Sequence, residues 1–103
     1  MDIFKAMADP VRREMLATLR KRPLLSISEL SERQPMSRQA VTKHLNILVK
    51  AGLVQTEVVG KTRLHQLNAE PLKQMANWLQ PYAALWDQRL NTLKTFLGEP
   101  NDP

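Results

Sequence analysis

The chain has 103 residues, no cysteine and 43% hydrophobic residues, which allows one compact domain with a modest core and excludes a disulfide framework or any thiolate metal site. Fifteen Lys and Arg against ten Asp and Glu give a net charge of +5 at pH 7, a balance that favours an anionic partner. No apolar run is long enough to span a membrane, and the opening residues carry Asp2 and Lys5 where a signal peptide would be apolar, so a cytoplasmic address is expected.

Asp9-Pro10 reads as a helix start, with Asp as the cap and Pro at the first helical position. Val11, Met15, Leu16 and Leu19 form its apolar stripe, and Pro23 stops it beyond Arg20-Lys21-Arg22. Ser26 and Glu29 match a capping box that opens a short helix around Leu30, ended by Gln34-Pro35-Met36. Ser37 then caps a third helix whose inward positions are Val41, Leu45 and Leu48, with Gly52 as its left-handed stop. Beyond it the period changes from helical to alternating, and Val54 to Leu67 reads as a β-hairpin turning at Gly60 in a type II′ loop. In that register Val58 faces Arg63, Thr56 faces His65 and Val54 faces Leu67, giving one largely apolar face expected to lie on the helices. From Asn68 the chain is helical again: Leu72, Ala76, Leu79, Ala83, Trp86, Leu90, Leu93 and Leu97 step by four and three in a heptad seam. Pro81 is expected to kink or break that helix, Gly98 to end it, and residues 99–103 to form a frayed tail after a single domain of residues 1–98.

Charge is unevenly placed. Residues 33–63 carry Arg33, Arg38, Lys43, Lys50, Lys61 and Arg63 against the single acid Glu57, whereas residues 69–103 are slightly acidic. At 100° per residue, Gln39 and Lys43 lie about 160° from the inward Val41, and Lys50 about 180°. Asn46 shares that outer face, and Arg38 and Thr42 lie on its flanks nearest the capped end. These are side-chain types that read base edges, while Ser37 and the helix start can hold a phosphate. Gly60-Lys61-Thr62 with Arg63 makes a slender basic tip beside it. The expected class is mostly α with a small β-hairpin wing, a winged helix-turn-helix. Its DNA-contact candidates are Ser37, Arg38, Gln39, Thr42, Lys43, Asn46, Lys61, Thr62 and Arg63. A solvated bundle face is the bland alternative for the helix, and a module that binds protein or RNA is the alternative for the whole. The basic charge on both helix and tip, with no aromatic residue in that stretch, favours double-stranded DNA.

Catalysis finds no support. The two histidines, His44 and His65, have no acid at helical spacing to orient them and read as partly buried structural residues, and glycines at 52, 60 and 98 build no phosphate loop. The chain is read as a non-enzyme without cofactor or metal.

The segments Ala6-Met7-Ala8-Asp9-Pro10-Val11-Arg12-Arg13, Ser28-Glu29-Leu30, Ser37 to Leu45 and Ala51-Gly52-Leu53-Val54 resemble the bacterial ArsR/SmtB winged-helix repressors over nearly the whole chain. The tail, with Glu70-Pro71-Leu72, Trp78-Leu79, Pro81-Tyr82 and Trp86 to Leu90, further resembles the SdpR-like branch, which lacks the familiar metal sites. The resemblance implies a homodimeric (auto)repressor that reads an inverted repeat in double-stranded DNA. It also implies dimer contacts on the first and last helices, at Phe4, Trp86, Leu90, Leu93 and Leu97. The family's metal-sensing positions do not carry over, since there is no cysteine and Asp87 is the only acidic or histidine side chain between Leu72 and Leu97. No effector is implied.

Overall fold

The computed structural model describes residues 2–96, with the side chains of residues 90, 91, 93, 94 and 96 outside that description. The elements are α1 (Ile3–Met7), α2 (Pro10–Lys21), β1 (Leu25–Ser26), α3 (Ile27–Glu32), α4 (Arg38–Lys50), β2 (Val54–Val59), β3 (Thr62–Leu67) and α5 (Leu72–Phe96). They fall into two compact units, one reaching to Lys73 and one starting at Gln74.

Each helix start in the first unit is set by a side-chain oxygen that satisfies backbone donors the helix leaves open. Asp2 accepts from Phe4 N at 2.8 Å, Asp9 from Val11 N at 2.8 Å, and Ser37 from Ala40 N at 3.1 Å. At α3 the box closes in both directions: Ser26 Oγ accepts from Glu29 N at 3.2 Å and Ser26 N donates to Glu29 Oε1 at 3.0 Å. The bonds from Ser26 hold the Glu29 carboxyl below its ordinary pKa. α4 ends in a Schellman motif, with Gly52 N donating to Val49 O and Leu53 N to Leu48 O, both at 3.0 Å. That ending needs the positive φ of Gly52, +78°. Asn68 closes the same corner by donating from Nδ2 to Gly52 O at 2.9 Å.

The apolar core is drawn from α1 to α4 and from β1 and β2, while β3 adds only the buried His65. Ile3 and Ala6 come from α1, Met15, Leu16 and Leu19 from α2, Leu25 from β1 and Leu30 from α3. Val41, Leu45 and Leu48 from α4, then Leu53 and Val54, complete it. Burial of side chains of this kind contributes about 1.5–3 kcal/mol each before the cost of ordering them.

The sheet is three-stranded and antiparallel, in the order β1-β3-β2. The hairpin register is the one expected: Val54 opposite Leu67, Thr56 opposite His65, Val58 opposite Arg63. Gly60 alone has positive φ in the two-residue loop, +64°, as a type II′ turn requires. The apolar face does not extend as expected. Val54 and His65 are buried, but Thr56 is exposed and Val58 is 61% exposed, because the hairpin projects past the helices after its first pairs. Two further elements went unanticipated, α1 and the two-residue β1 that pairs with β3 through Leu25 opposite His65.

The second unit is a helix. α5 runs without interruption through Pro81, so of the kink or break expected there the break is absent. Trp78, Tyr82, Leu85 and Trp86 are exposed, and the rings of Trp78 and Tyr82 lie 5.2 Å apart, tilted by 32°. The expected tail, residues 99–103, lies outside the described residues.

Candidate nucleic-acid interface

With Val41, Leu45 and Leu48 turned into the core, α4 has one orientation available, and it leaves Arg38, Gln39, Lys43, Asn46 and Lys50 exposed. Thr42 is half-buried, and its hydroxyl donates back to Arg38 O at 2.9 Å, so toward a ligand it offers mainly an acceptor. Ser37 spends its oxygen on the cap, which leaves its hydroxyl proton free to donate. The tight loop at Gly60 holds Lys61, Thr62 and Arg63 exposed at the hairpin tip.

A cleft of about 670 Å³ separates α4 from the hairpin. Arg38, Thr42 and Asn46 line it from one side, and Lys61, Thr62 and Arg63 from the other. Six of the nine candidates therefore face one another across a single concavity, while Ser37, Gln39 and Lys43 stand outside it on the outer face of α4. Sequence reasoning missed its floor. Ser26 and Ser28 at the start of α3 contribute to it, as does His65, and only the pairing of β1 with β3 brings them there. His65 is buried and its Nδ1 donates to Leu25 O at 3.0 Å. A carbonyl can only accept, so Nδ1 carries the proton.

The electrostatics favour an anion. Among the described residues the ion pairs are Arg12 with Asp9 and Lys73 with Glu70, so Arg38, Lys43, Lys50, Lys61 and Arg63 carry no internal counter-charge. Each can meet a phosphate without first breaking a bond in the protein. Arg33, the sixth basic residue of this stretch, donates from Nη1 to Glu29 O at 3.1 Å. Among the described residues no group of three or more His, Cys, Asp or Glu is placed to hold a metal ion.

Of the dimer-contact candidates, Phe4 is half-buried on α1 and Trp86 is 53% exposed on α5. The side chains of Leu90 and Leu93, and all of Leu97, lie outside the described residues. No helix is long and apolar enough to cross a membrane, among the described residues.

Two capped helices with a tight turn between them, followed by a basic hairpin across a cleft from the second, define a winged helix-turn-helix DNA-binding regulator. Residues 7–57 match the model of a helix-turn-helix domain family. The chain is 40% identical to the helix-turn-helix-type transcriptional regulator YuzN of Bacillus subtilis, over 76% of this chain and 92% of that one. It is 31% identical to the transcriptional repressor SdpR of the same organism, over 76% and 86%. A solved ArsR-like transcriptional regulator from Rhodococcus sp. RHA1 superposes with a TM-score of 0.68 at 37% identity, covering 96% of this chain and 92% of that one. The chain belongs to the ArsR-like family of winged helix-turn-helix transcriptional regulators, and its members are not enzymes.

Proposed function

We propose that the protein is a homodimeric repressor, acting at its own promoter among others, that reads an imperfect inverted repeat in double-stranded DNA. α4 enters the major groove by its capped end, where Gln39 and Lys43 meet base edges: Gln can bond adenine with two contacts and Lys can donate to guanine. The cleft straddles the sugar-phosphate strand beside that groove, and Lys61, Thr62 and Arg63 hold the backbone or minor groove beyond it. The observation that carries this reading is the convergence of Arg38, Lys61 and Arg63, all without internal counter-charge, on one cleft beside α4.

Dimerisation is supported by α5, where Trp78, Tyr82, Leu85 and Trp86 expose more apolar surface than a soluble helix ordinarily leaves in water. α5 and α1 supply the twofold contact, with Phe4, Trp86, Leu90, Leu93 and Leu97 as its residues. Two α4 helices about 34 Å apart then face successive major grooves. Repression is taken from the likeness to the transcriptional repressor SdpR, and a regulator of transcription acts in the cytoplasm with its DNA.

The test is footprinting and fluorescence anisotropy on the duplex upstream of the chain's own coding sequence, with sedimentation of wild type and Trp86→Glu. Symmetric protection of two half-sites by a dimer, and loss of both dimer and tight binding in Trp86→Glu, are expected. A wild-type monomer at tens of micromolar, or protection of a single half-site, would refute the dimeric reading.

A further inference from the structure

One polar cluster lies outside the interface just described. Arg12, in the first turn of α2, is 14% exposed and uses all three arms of its guanidinium. Nε donates to Ala6 O at 2.7 Å and Nη2 to Lys5 O at 3.0 Å. Both carbonyls belong to the last turn of α1, and Lys5 O accepts from Ala8 N at 3.2 Å as well. Nη1 donates to His44 Nδ1 at 3.3 Å, and His44 sits on α4 between Lys43 and Leu45. One planar cation therefore joins α1, α2 and the helix proposed to read DNA, and its fork fixes all three directions at once as a lysine ammonium could not.

A guanidinium only donates, so His44 Nδ1 must offer a lone pair, and the ring is neutral with its proton on Nε2. An imidazolium there would place two cations 3.3 Å apart and remove the acceptor. The charged groups that reach His44 are Arg12 and Asp9, both from the start of α2. Asp9 Oδ2 lies 3.9 Å from Arg12 Nη1. Burial would push the Asp9 carboxyl up, but bonds from the Arg12 and Val11 N–H groups, with the charge of Arg12, hold it below its ordinary pKa. On α4 the residues one turn from His44, namely Ala40, Val41, Ile47 and Leu48, are uncharged. Among the described residues α3 and β2 give it no hydrogen bond or ion pair. A proton taken up by His44 thus exchanges the Arg12 bond for attraction to Asp9.

We propose that Arg12 is a positioning residue for α4, and that protonation of His44 releases it, loosening sequence discrimination and the seat of α1 together. The part that concerns discrimination rests on the DNA reading above; the part that concerns α1 does not.

His44→Gln decides the matter, because the amide oxygen of Gln can accept from Arg12 but cannot take a proton. The readout is the ratio of affinity for the upstream duplex to that for a scrambled duplex of equal length, which cancels charge effects common to both. In wild type this ratio should fall about tenfold as the pH is lowered far enough for His44 to take up its proton, that being the worth of one charge-assisted hydrogen bond. In His44→Gln it should stay constant, and in Arg12→Lys it should be low at both ends. NMR supplies a readout that needs no DNA: the His44 ring should carry its proton on Nε2 at about pH 8. The amide resonances of Lys5 to Ala8 should follow the titration of that ring in wild type and stay still in His44→Gln. Equal pH profiles of the ratio in wild type and His44→Gln, a proton on Nδ1, or α1 amides that ignore the ring would overturn the proposal. If neither duplex binds, the repressor reading falls by itself, and the ring and amide measurements decide the link between His44 and α1.

Discussion

Replacing Lys61 by Ala should weaken DNA binding uniformly and flatten its salt dependence. Lys61 is exposed at the hairpin tip, lines the cleft and has no ion pair among the described residues. On the proposed DNA reading, its counter-charge in the complex is a phosphate. If three to five of the unpaired cations meet phosphates in each subunit, a dimer neutralises about six to ten, and log K should fall with log salt at a slope of about −5 to −9. Losing Lys61 from both subunits removes two contacts, so the slope should become shallower by about 1.8. One decade below 1 M salt, that difference corresponds to a loss on the order of 60-fold. The loss should be alike for preferred and scrambled duplexes, since a phosphate carries no sequence information. Fluorescence anisotropy with a labelled duplex at several salt concentrations measures both quantities. A wild-type slope near zero would remove the DNA interface altogether. An unchanged slope in Lys61→Ala, or a loss confined to the preferred duplex, would remove the hairpin tip from the phosphate contacts.

Gln39→Ala and Lys43→Ala should instead relax discrimination at particular base pairs, each costing about 1–3 kcal/mol on the best site and little on scrambled DNA, as a panel of single-base variants would show. Leu48→Ala, at a position with no exposure, should destabilise the fold by about 2–5 kcal/mol in denaturant titrations, with no change in the base preference of the fraction that remains folded. Zinc, nickel and arsenite should neither bind tightly nor release DNA. Calorimetry giving sub-micromolar zinc would contradict this, with His65 and carboxylates brought near it by a dimer as the first suspects.

The helices of the first unit were legible because their starts are written in side chains. Asp9-Pro10, Ser26 with Glu29, and Ser37 each announce a cap, and Gly52 announces a stop. The hairpin register was legible because alternation and Gly60 leave one pairing. α1 was not, since five residues are too few to show a period, although Asp2 two residues before Phe4 carried the capping signal. β1 was hidden for a different reason. Two residues make a strand only because β3 is there to receive them, and that partner lies some forty positions away. The candidate site divides along the same line. Residue types on the outer face of α4 could be listed by angle, but the cleft, its floor at His65 and the bridge from Arg12 to His44 depend on contacts between distant segments. The fate of Val58 was misjudged because alternation records which face a residue shares, not how far the strand runs beyond the body.

β2 forms the outer edge of the sheet, with β3 on one side and, among the described residues, no strand on the other. It carries Val58 and Val59 at 61% and 54% exposure, so it presents open backbone groups and bare apolar side chains of the kind through which strands of separate molecules join. The cations of Lys61 and Arg63 at its end, beyond the contact proposed for them with DNA, are placed as gatekeepers, since two such edges must bring like charges together before they can pair. That protection is electrostatic and shrinks with the Debye length, from about 10 Å at 0.1 M salt to about 3 Å at 1 M. Concentrated salt, which strips the protein from DNA during purification, also removes the repulsion that keeps its hairpins from self-association.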